Sequence, residues 1–218
     1  EFLLYRQFFQ PSETHAELIR RTLAKMARGG MYDQIGGGFH RYSTDERWIV
    51  PHFEKMLYDN TELLRNYAMA ATVFADAEFA AAVRGIVSFM MDVLADREKG
   101  GFAASQDADV GLTDDGDYFT WTLDEVTAVC TREESGALAA RYHILSQGEM
   151  HHNPAKNVLF NSEDSDVIAE QLKVEQGAVE SLLRSGEAKL RVARALRPVP
   201  FVDRTIYSGW NAMAVSAI

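Results

Sequence analysis

Residues 29–60 read GGMYDQIGGGFHRYSTDERWIVPHFEKMLYDN, and this stretch decides how the chain is organised. It contains six aromatic residues, two histidines, three arginine or lysine residues, five carboxylates and five glycines. Connections between packed elements usually take only about 4–6 residues, and much longer ordered ones usually carry function. We therefore predict a folded loop that lines a functional site. The alternative is a structural plug whose aromatic side chains close the mouth of a helical domain.

Helical patterns flank this loop on both sides. Residues 12–28 begin with a possible capping serine, Ser12, and carry acidic residues first and basic residues last. Their apolar residues follow the 3.6-residue period of a helix. Residues 53–74 predict an internal helix, because no charged residue occurs between Arg65 and Asp76.

Two further irregular stretches resemble the first in composition. The second contains GGF at 100–102, SQDAD at 105–109 and DDGDYFTW at 114–121. The third, 146–164, contains the letters HHNPAKN, and SGWN at 208–211 predicts the start of a last helix. Aromatic and polar loops thus recur between helical segments.

The spacing of Thr122 with Glu125, and of Thr131 with Glu134, is that of a capping box and predicts two helix starts. Periodicity predicts roughly eight helical segments in pairs. No convincing run of strands occurs beyond short pieces in the loops. This pattern is typical of an all-α array of helical hairpins.

Composition excludes several functional classes. A net charge of −10 and a pI near 5.1 disfavour nucleic-acid binding, which needs a basic surface. Cys130 is the only cysteine, so an intramolecular disulfide is impossible and a reducing, cytoplasmic location is expected. Arg84 and Asp92 interrupt the most apolar run, residues 79–95, which falls short of the ~20 apolar residues that span a bilayer. We predict no membrane partner.

Four motifs carry a resemblance to a known family. They are the stretch 29–60, SQDAD at 105–109, GDYFTW at 116–121 and DRTIYSGWNAMAVSAI at 203–218. Together they resemble the YyaL family, which includes the spermatogenesis-associated thioredoxin-like proteins. The resemblance implies a thioredoxin-like domain in cis, absent from these residues, joined to an (α/α) toroid. That toroid is akin to N-acylglucosamine 2-epimerase and the six-hairpin glycosidases.

The chain opens at Glu1 without a methionine and stops at Ile218 inside a helical pattern. We therefore expect residues 1–218 to form one partial domain, an incomplete (α/α) toroid of helical hairpins with short β pieces in the loops. The loops centred on His40, Gln106 and Trp210 should lie at the same end of the helices.

One segment departs from the family pattern. The family usually has a G-N-F-E-G-K-N-like stretch where this chain has residues 148–157, and only Lys156 and Asn157 carry over. We predict that His151 and His152 are an exposed local feature instead of a site.

The first catalytic hypothesis uses His40 and His52 as proton-transfer groups, because imidazole ordinarily titrates near neutral pH. Arg41 would hold a developing oxyanion, and Glu54 would orient a ring nitrogen. The alternative for each histidine is a hydrogen-bonded core residue.

A second hypothesis pairs Asp107 and Asp109 with Glu54 or Asp59, one carboxyl protonated and the other ionised, as in glycosidases. Aspartates in a glycine-rich loop are also ordinary turn formers.

A metal site or a cofactor is not expected. Asp107, Asp109 and Gly111 begin like a calcium loop but lack its later ligand and its glycine. Neither an H-E-x-x-H motif nor a nucleotide-binding glycine motif occurs, and the glycines at 36–38 do not lead directly into a helix.

Aromatic and amide residues could recognise a sugar, whose ring has an apolar face and a hydroxylated rim. The stacking candidates are Trp48, Tyr58 and Trp210, and the hydrogen-bonding candidates are Asn60, Gln106 and Asn211. All six could instead belong to the core. The resemblance favours a carbohydrate-active domain of the epimerase or isomerase type. The alternatives are a catalytically silent module that binds a sugar or protein partner, and a glycosidase-like hydrolase.

Overall fold

The computed structural model describes residues 1–112 and 114–218, and within these ranges the chain is mostly α-helical. The helices are α1 (Phe2–Phe9), α2 (Glu13–Arg28), α3 (Leu57–Phe74), α4 (Ala77–Phe89), α5 (Leu123–Val129), α6 (Arg132–Tyr142), α7 (Ser165–Leu172), α8 (Gln176–Arg194) and α9 (Ser208–Ala217). A π-helical turn at Met90–Leu94 extends α4. The expected helical class is confirmed. Closure of the hairpins into a toroid stays a prediction.

Short strands occur only in the connections of the described part of the chain. They are β1 (Tyr42–Ser43), β2 (Pro51–His52), β3 (Lys55–Met56), β4 (Ser105–Gln106) and β5 (Val202–Asp203). Strands β1 and β2 form an antiparallel pair within the first loop. Strand β4 pairs antiparallel with both β3 and β5. Segments from the three irregular regions thus pair in this small sheet, while Trp210 itself lies in α9. That the three loops share one end of the helices stays a prediction.

Both predicted capping boxes are confirmed, with the Thr122 and Thr131 hydroxyls each accepting from the backbone amide of the glutamate three residues later. One other boundary was wrong. Helix α3 begins at Leu57, because residues 55–56 pair with β4 first. Ser12 occupies the N-cap of α2, but its hydroxyl makes no capping hydrogen bond.

The loop 29–60 contributes to three apolar clusters. Phe39 and Leu57 pack in the largest cluster, among helices α2, α3, α4 and α9. Ile35 packs in a second cluster, formed mainly by α5 to α8. Ile49 and Phe53 belong to a smaller third cluster. One loop thus joins the packing units of the chain.

A buried ionic network crosses the same loop. The Asp33 carboxylate accepts from Lys55 Nζ at 2.6 Å and from Arg194 at 2.8 and 3.0 Å. Lys55 also donates to the carbonyl of Gly37, at 2.9 Å. All three charged side chains are less than 10% exposed, and Arg194 comes from the end of α8. The network therefore ties the last turn of α8 to the first loop.

Two glycines allow the loop to return against the end of α2. The Gly30 amide donates to the carbonyl of Trp48 at 2.9 Å. A Cβ atom on Gly29 or Gly30 would collide with the backbone carbonyl oxygen of Trp48 or Ile49, respectively. The close approach of two backbone segments explains the glycine pair.

We expect Gly30→Ala to lower the free energy of unfolding by about 2–3 kcal/mol, because the colliding atoms belong to the backbone and cannot rotate away. Gly177→Ala is the matched control, since nothing lies within 4 Å of its added methyl group. Urea unfolding of both variants checks this prediction. Equal stability of the two variants would contradict it.

Candidate functional site

His40 lies in the core, 2% exposed. Its Nδ1 atom is 2.7 Å from the carbonyl oxygen of Phe53, and the rings of Phe53 and Phe119 meet it edge-on. Burial, with the nearby Lys55 ammonium, lowers the pKa of His40 to about 3. The imidazole is therefore neutral at physiological pH and enclosed by protein. This environment argues against the proton-transfer role expected of His40 and favours the core alternative.

His52 is in a different position, with 39% of its side chain exposed. Strand β2 places it opposite Tyr42 of β1, and the two rings stack with centroids 5.1 Å apart. Its Nδ1 atom is 3.8 Å from Glu54 Oε2. This nitrogen is enclosed but has no hydrogen-bond partner among the described residues.

Arg41 and Glu54 form an ion pair beside His52. Arg41 lies 3.0 Å from the carboxylate of Glu54, and the Arg41 amide also donates to the Glu54 carbonyl. Hydrogen bonding to Tyr58, and then to Glu54, raises the pKa of Arg41. The guanidinium is therefore a fixed positive charge at the surface of the loop.

Asp59, in the first turn of α3, completes this group. Its Oδ2 atom is enclosed and has no hydrogen-bond partner in the described part of the chain. Burial, assisted by the charge of Glu54 and opposed by Arg41, raises the pKa of Asp59 to about 6. The sequence analysis considered Asp59 only as an alternative to Glu54 in a glycosidase-type pair.

We call Arg41, His52, Glu54, Tyr58 and Asp59 the acid–base cluster. It contains a fixed cation, two carboxyl groups in different electrostatic settings, and an imidazole with an unpaired nitrogen. Such a combination can donate a proton, accept one and stabilise a negatively charged oxygen.

The predicted Asp107 and Asp109 lie in the next loop. Asp109 accepts from the Gly116 amide at 3.0 Å, and its pKa is raised by burial and by neighbouring acids, with His52 opposing the shift. Asp109 therefore borders the acid–base cluster. The Asp107 amide donates to the carbonyl of Phe201, which fixes its backbone. Asp114 accepts from two backbone amides, as expected of a turn former.

The side chains of the predicted amide ligands Asn60 and Asn211 both bond to the backbone. The side chain of Asn60 accepts from the Phe39 amide at 2.7 Å and donates to the Phe39 carbonyl at 2.9 Å. Asn211 makes the same pair of bonds with Phe102, at 2.7 and 3.0 Å. Both side-chain amides hold a loop to a helix, so their hydrogen-bonding groups are already bonded to the backbone.

Gln106 is 3% exposed on the central strand β4, which argues against the expected contact with a sugar rim. Lys156 and Asn157, the two residues of 148–157 that match the family pattern, are also buried. Lys156 pairs with Glu125 at 3.0 Å, and Asn157 bonds backbone groups on both sides of its loop. His152 pairs with Asp117 at 2.9 Å, near the surface.

The aromatic candidates fall into two places. Trp210 lies 5.0 Å from the Tyr58 ring and 4.4 Å from the Tyr207 ring, measured between centroids. These three rings form an aromatic patch that adjoins the acid–base cluster through Tyr58. Trp48 lies over the end of α2 instead, where it lines a separate cleft.

Within residues 1–112 and 114–218, no group of three or more histidine, cysteine, aspartate or glutamate side chains is arranged to hold a metal ion. No helix in the same residues is both long and apolar enough to cross a membrane.

The chain is similar to curated proteins of animals. It is 33% identical to spermatogenesis-associated protein 20 of Mus musculus and 32% identical to that of Homo sapiens, over 99% of its own length in both cases. The Rattus norvegicus protein is 33% identical over the same share. The chain spans 30% of the length of each of these relatives. No family model matches the chain.

Proposed function

This chain belongs to the family of spermatogenesis-associated protein 20, and from that premise we propose that its acid–base cluster acts on a carbohydrate. The reaction is proton transfer at the carbon beside a sugar carbonyl, as in an epimerase or isomerase. The enclosed, unpaired carboxyl oxygen of Asp59 carries this proposal. A buried oxygen of this kind needs a donor, and a bound substrate can supply one.

The roles follow from the positions of the groups. One group removes the proton from the carbon, the electron pair moves to the carbonyl oxygen, and a second group returns a proton to the carbon. Asp59 and His52 are the two proton-transfer groups, since each has an enclosed atom without a hydrogen-bond partner in residues 1–112 and 114–218. Arg41 stabilises the enolate oxygen, and Glu54 holds Arg41 in place.

The neighbouring aromatic patch supports a sugar as the substrate. Tyr58, Tyr207 and Trp210 offer flat apolar surface next to charged and polar groups. Ligand sites commonly combine aromatic walls with a few placed polar groups. The resemblance to an epimerase-like toroid points the same way, as an argument from fold analogy.

The resemblance also supplies two wider proposals. The partner in cis is a thioredoxin-like domain of the longer protein, and the location is cytoplasmic, in keeping with the single cysteine, Cys130. The hydrolase alternative has weaker support than proton transfer, because Asp109 only borders the acid–base cluster. The one contact described above for Asp107 is a backbone hydrogen bond to Phe201.

Hydrogen exchange tests the proposed reaction. The full-length protein is incubated in deuterium oxide with aldoses, ketoses and N-acylhexosamines, and the sugars are followed by NMR. We expect deuterium to enter one class of sugar at the carbon beside the carbonyl. Binding without exchange would replace this proposal with a silent sugar-binding module. If no sugar binds and no exchange occurs, carbohydrates are excluded as the substrate class.

A further inference from the structure

A cleft of about 620 Å³ lies between α2 and the segment 46–49 of the first loop. Helix α2 contributes Arg21, Lys25 and Arg28 to its wall. The loop contributes Arg47 and Trp48, and the segment after Val158 contributes residues 160–162. None of the five residues of the acid–base cluster is among those that line this cleft. It is therefore a separate candidate site.

The cleft has an excess of positive charge. Arg21, Lys25 and Arg28 lie on one face of α2, because residues four and then three apart stack along a helix. Arg28 is neutralised by Glu78 at 2.7 Å and Asp164 at 3.2 Å.

Arg21, Lys25 and Arg47, by contrast, have no carboxylate within 4.0 Å in residues 1–112 and 114–218. Glu46 is the single acid among the described lining residues. The protein as a whole carries a charge of −10, so three unpaired cations around one cleft are a distinct local feature. A cleft lined by one sign of charge concentrates ligands of the opposite sign.

Polar and aromatic groups complete the wall. The amide of Asn161 donates to the carbonyl of Arg28 at 2.7 Å, which fixes this segment against α2. The side-chain oxygen of Asn161 is enclosed and has no partner among the described residues. Trp48 has a φ of +63°, in the left-handed region that a bulky residue rarely adopts. Strained residues of this kind cluster at ligand sites.

We infer that this cleft binds a small phosphate monoester with a hydroxylated body. The phosphate lies among Arg21, Lys25 and Arg47, because guanidinium and ammonium groups are the usual partners of phosphate oxygens. A hydroxyl of the body donates to Asn161, and an apolar face of the body lies on Trp48. A phosphosugar has all three features. This inference does not depend on the proposed proton transfer, since the residues differ.

The test uses calorimetric titration of the full-length protein with glucose 6-phosphate, inorganic phosphate and glucose. We expect glucose 6-phosphate to bind more tightly than inorganic phosphate, and any binding of glucose to be unaffected by Lys25→Glu. Lys25→Glu should weaken glucose 6-phosphate binding about tenfold or more, because a hydrogen bond to a charged group is lost. Arg20→Glu is the matched control: it changes the same charge on the same helix, but Arg20 stacks on Phe74 and does not line the cleft.

Trp48→Phe provides an independent readout. It should weaken the binding of glucose 6-phosphate while leaving that of inorganic phosphate unchanged, because only the sugar contacts the ring. Equal effects of Lys25→Glu and Arg20→Glu would show that the binding depends only on long-range electrostatic attraction, and would overturn the inference. So would binding of an acidic peptide or of anionic lipid vesicles, sensitive to Lys25→Glu, in the absence of any binding by the phosphate esters.

Discussion

Asp33→Ala should lower the free energy of unfolding by about 3–5 kcal/mol, the largest effect on stability that we expect. The substitution leaves the buried charges of Lys55 and Arg194 without their shared carboxylate. It also removes the acceptor of the Ile35 and Gly36 amides, which bond Asp33 at 3.0 and 2.8 Å. Neither cation can reach water without moving α8 or the loop.

Chemical denaturation measures this effect, with Glu170→Ala on α7 as the control for loss of an exposed carboxylate. The control should change stability by less than about 0.5 kcal/mol. Replacing Asp33, Lys55 and Arg194 together by apolar residues should recover part of the loss, since no unpaired charge then remains buried. A loss below about 1 kcal/mol for Asp33→Ala would show that the network does not hold the loop.

Asp59→Asn should lower the rate of deuterium entry into the sugar at least ~100-fold, because positioned acid–base groups contribute about 10²–10⁴-fold in rate. The amide keeps the shape of the carboxyl group but cannot exchange its proton in the reaction. Glu62→Gln is the control, as Glu62 lies one turn farther along α3 and pairs with Arg65. An unchanged rate for Asp59→Asn would exclude Asp59 as a proton-transfer group.

The pH dependence of stability shows whether that variant is folded and whether Asp59 titrates as described. The folded-state pKa of about 6 is above the ordinary aspartate value of 3.8. The stability contribution of protonated Asp59 is therefore full below about pH 3.8 and is lost as pH rises through about 6. Asp59→Asn should thus gain stability relative to the wild type over this window. A gain in stability with a loss of activity is typical of a functional site.

Local chemistry made much of the fold predictable. The capping boxes at Thr122 and Thr131 depend on residues only three apart, and both were correct. The same-end prediction for the three loops rests on connections alternating between the two ends of an antiparallel hairpin array, and the pairing of β3, β4 and β5 is compatible with it. The start of α3 was wrong, since the pairing of residues 55–56 with β4 is a long-range contact.

The site was harder to predict, because one residue type serves core and surface equally well. His40 and His52 are twelve residues apart in the same loop, yet one is enclosed by Phe53 and Phe119 and the other is half-exposed. Asn60 and Asn211 looked like ligands but bond the backbone. The partner that makes Asp33 structural, Arg194, is 161 residues away.

The loop 29–60 thus has two sides with different roles. Its inner side, with Asp33, His40 and Lys55, is buried against the helices. Its outer side, with Arg41 and His52, joins Asp59 of α3 in the acid–base cluster. Buried charge pairs on the inner side fix the backbone that presents the outer side.

Direct titration of the Asp59 carboxyl carbon by NMR tests the proposed site without a substrate. The full-length protein is labelled with carbon-13 aspartate, and the Asp59 signal is assigned by its absence in Asp59→Asn. We expect a midpoint near pH 6, so that about half of Asp59 carries a proton at pH 6 and about a tenth at pH 7. A midpoint at or below about pH 4, the ordinary value for an aspartate, would leave the cluster without its proton donor and would contradict proton transfer at Asp59.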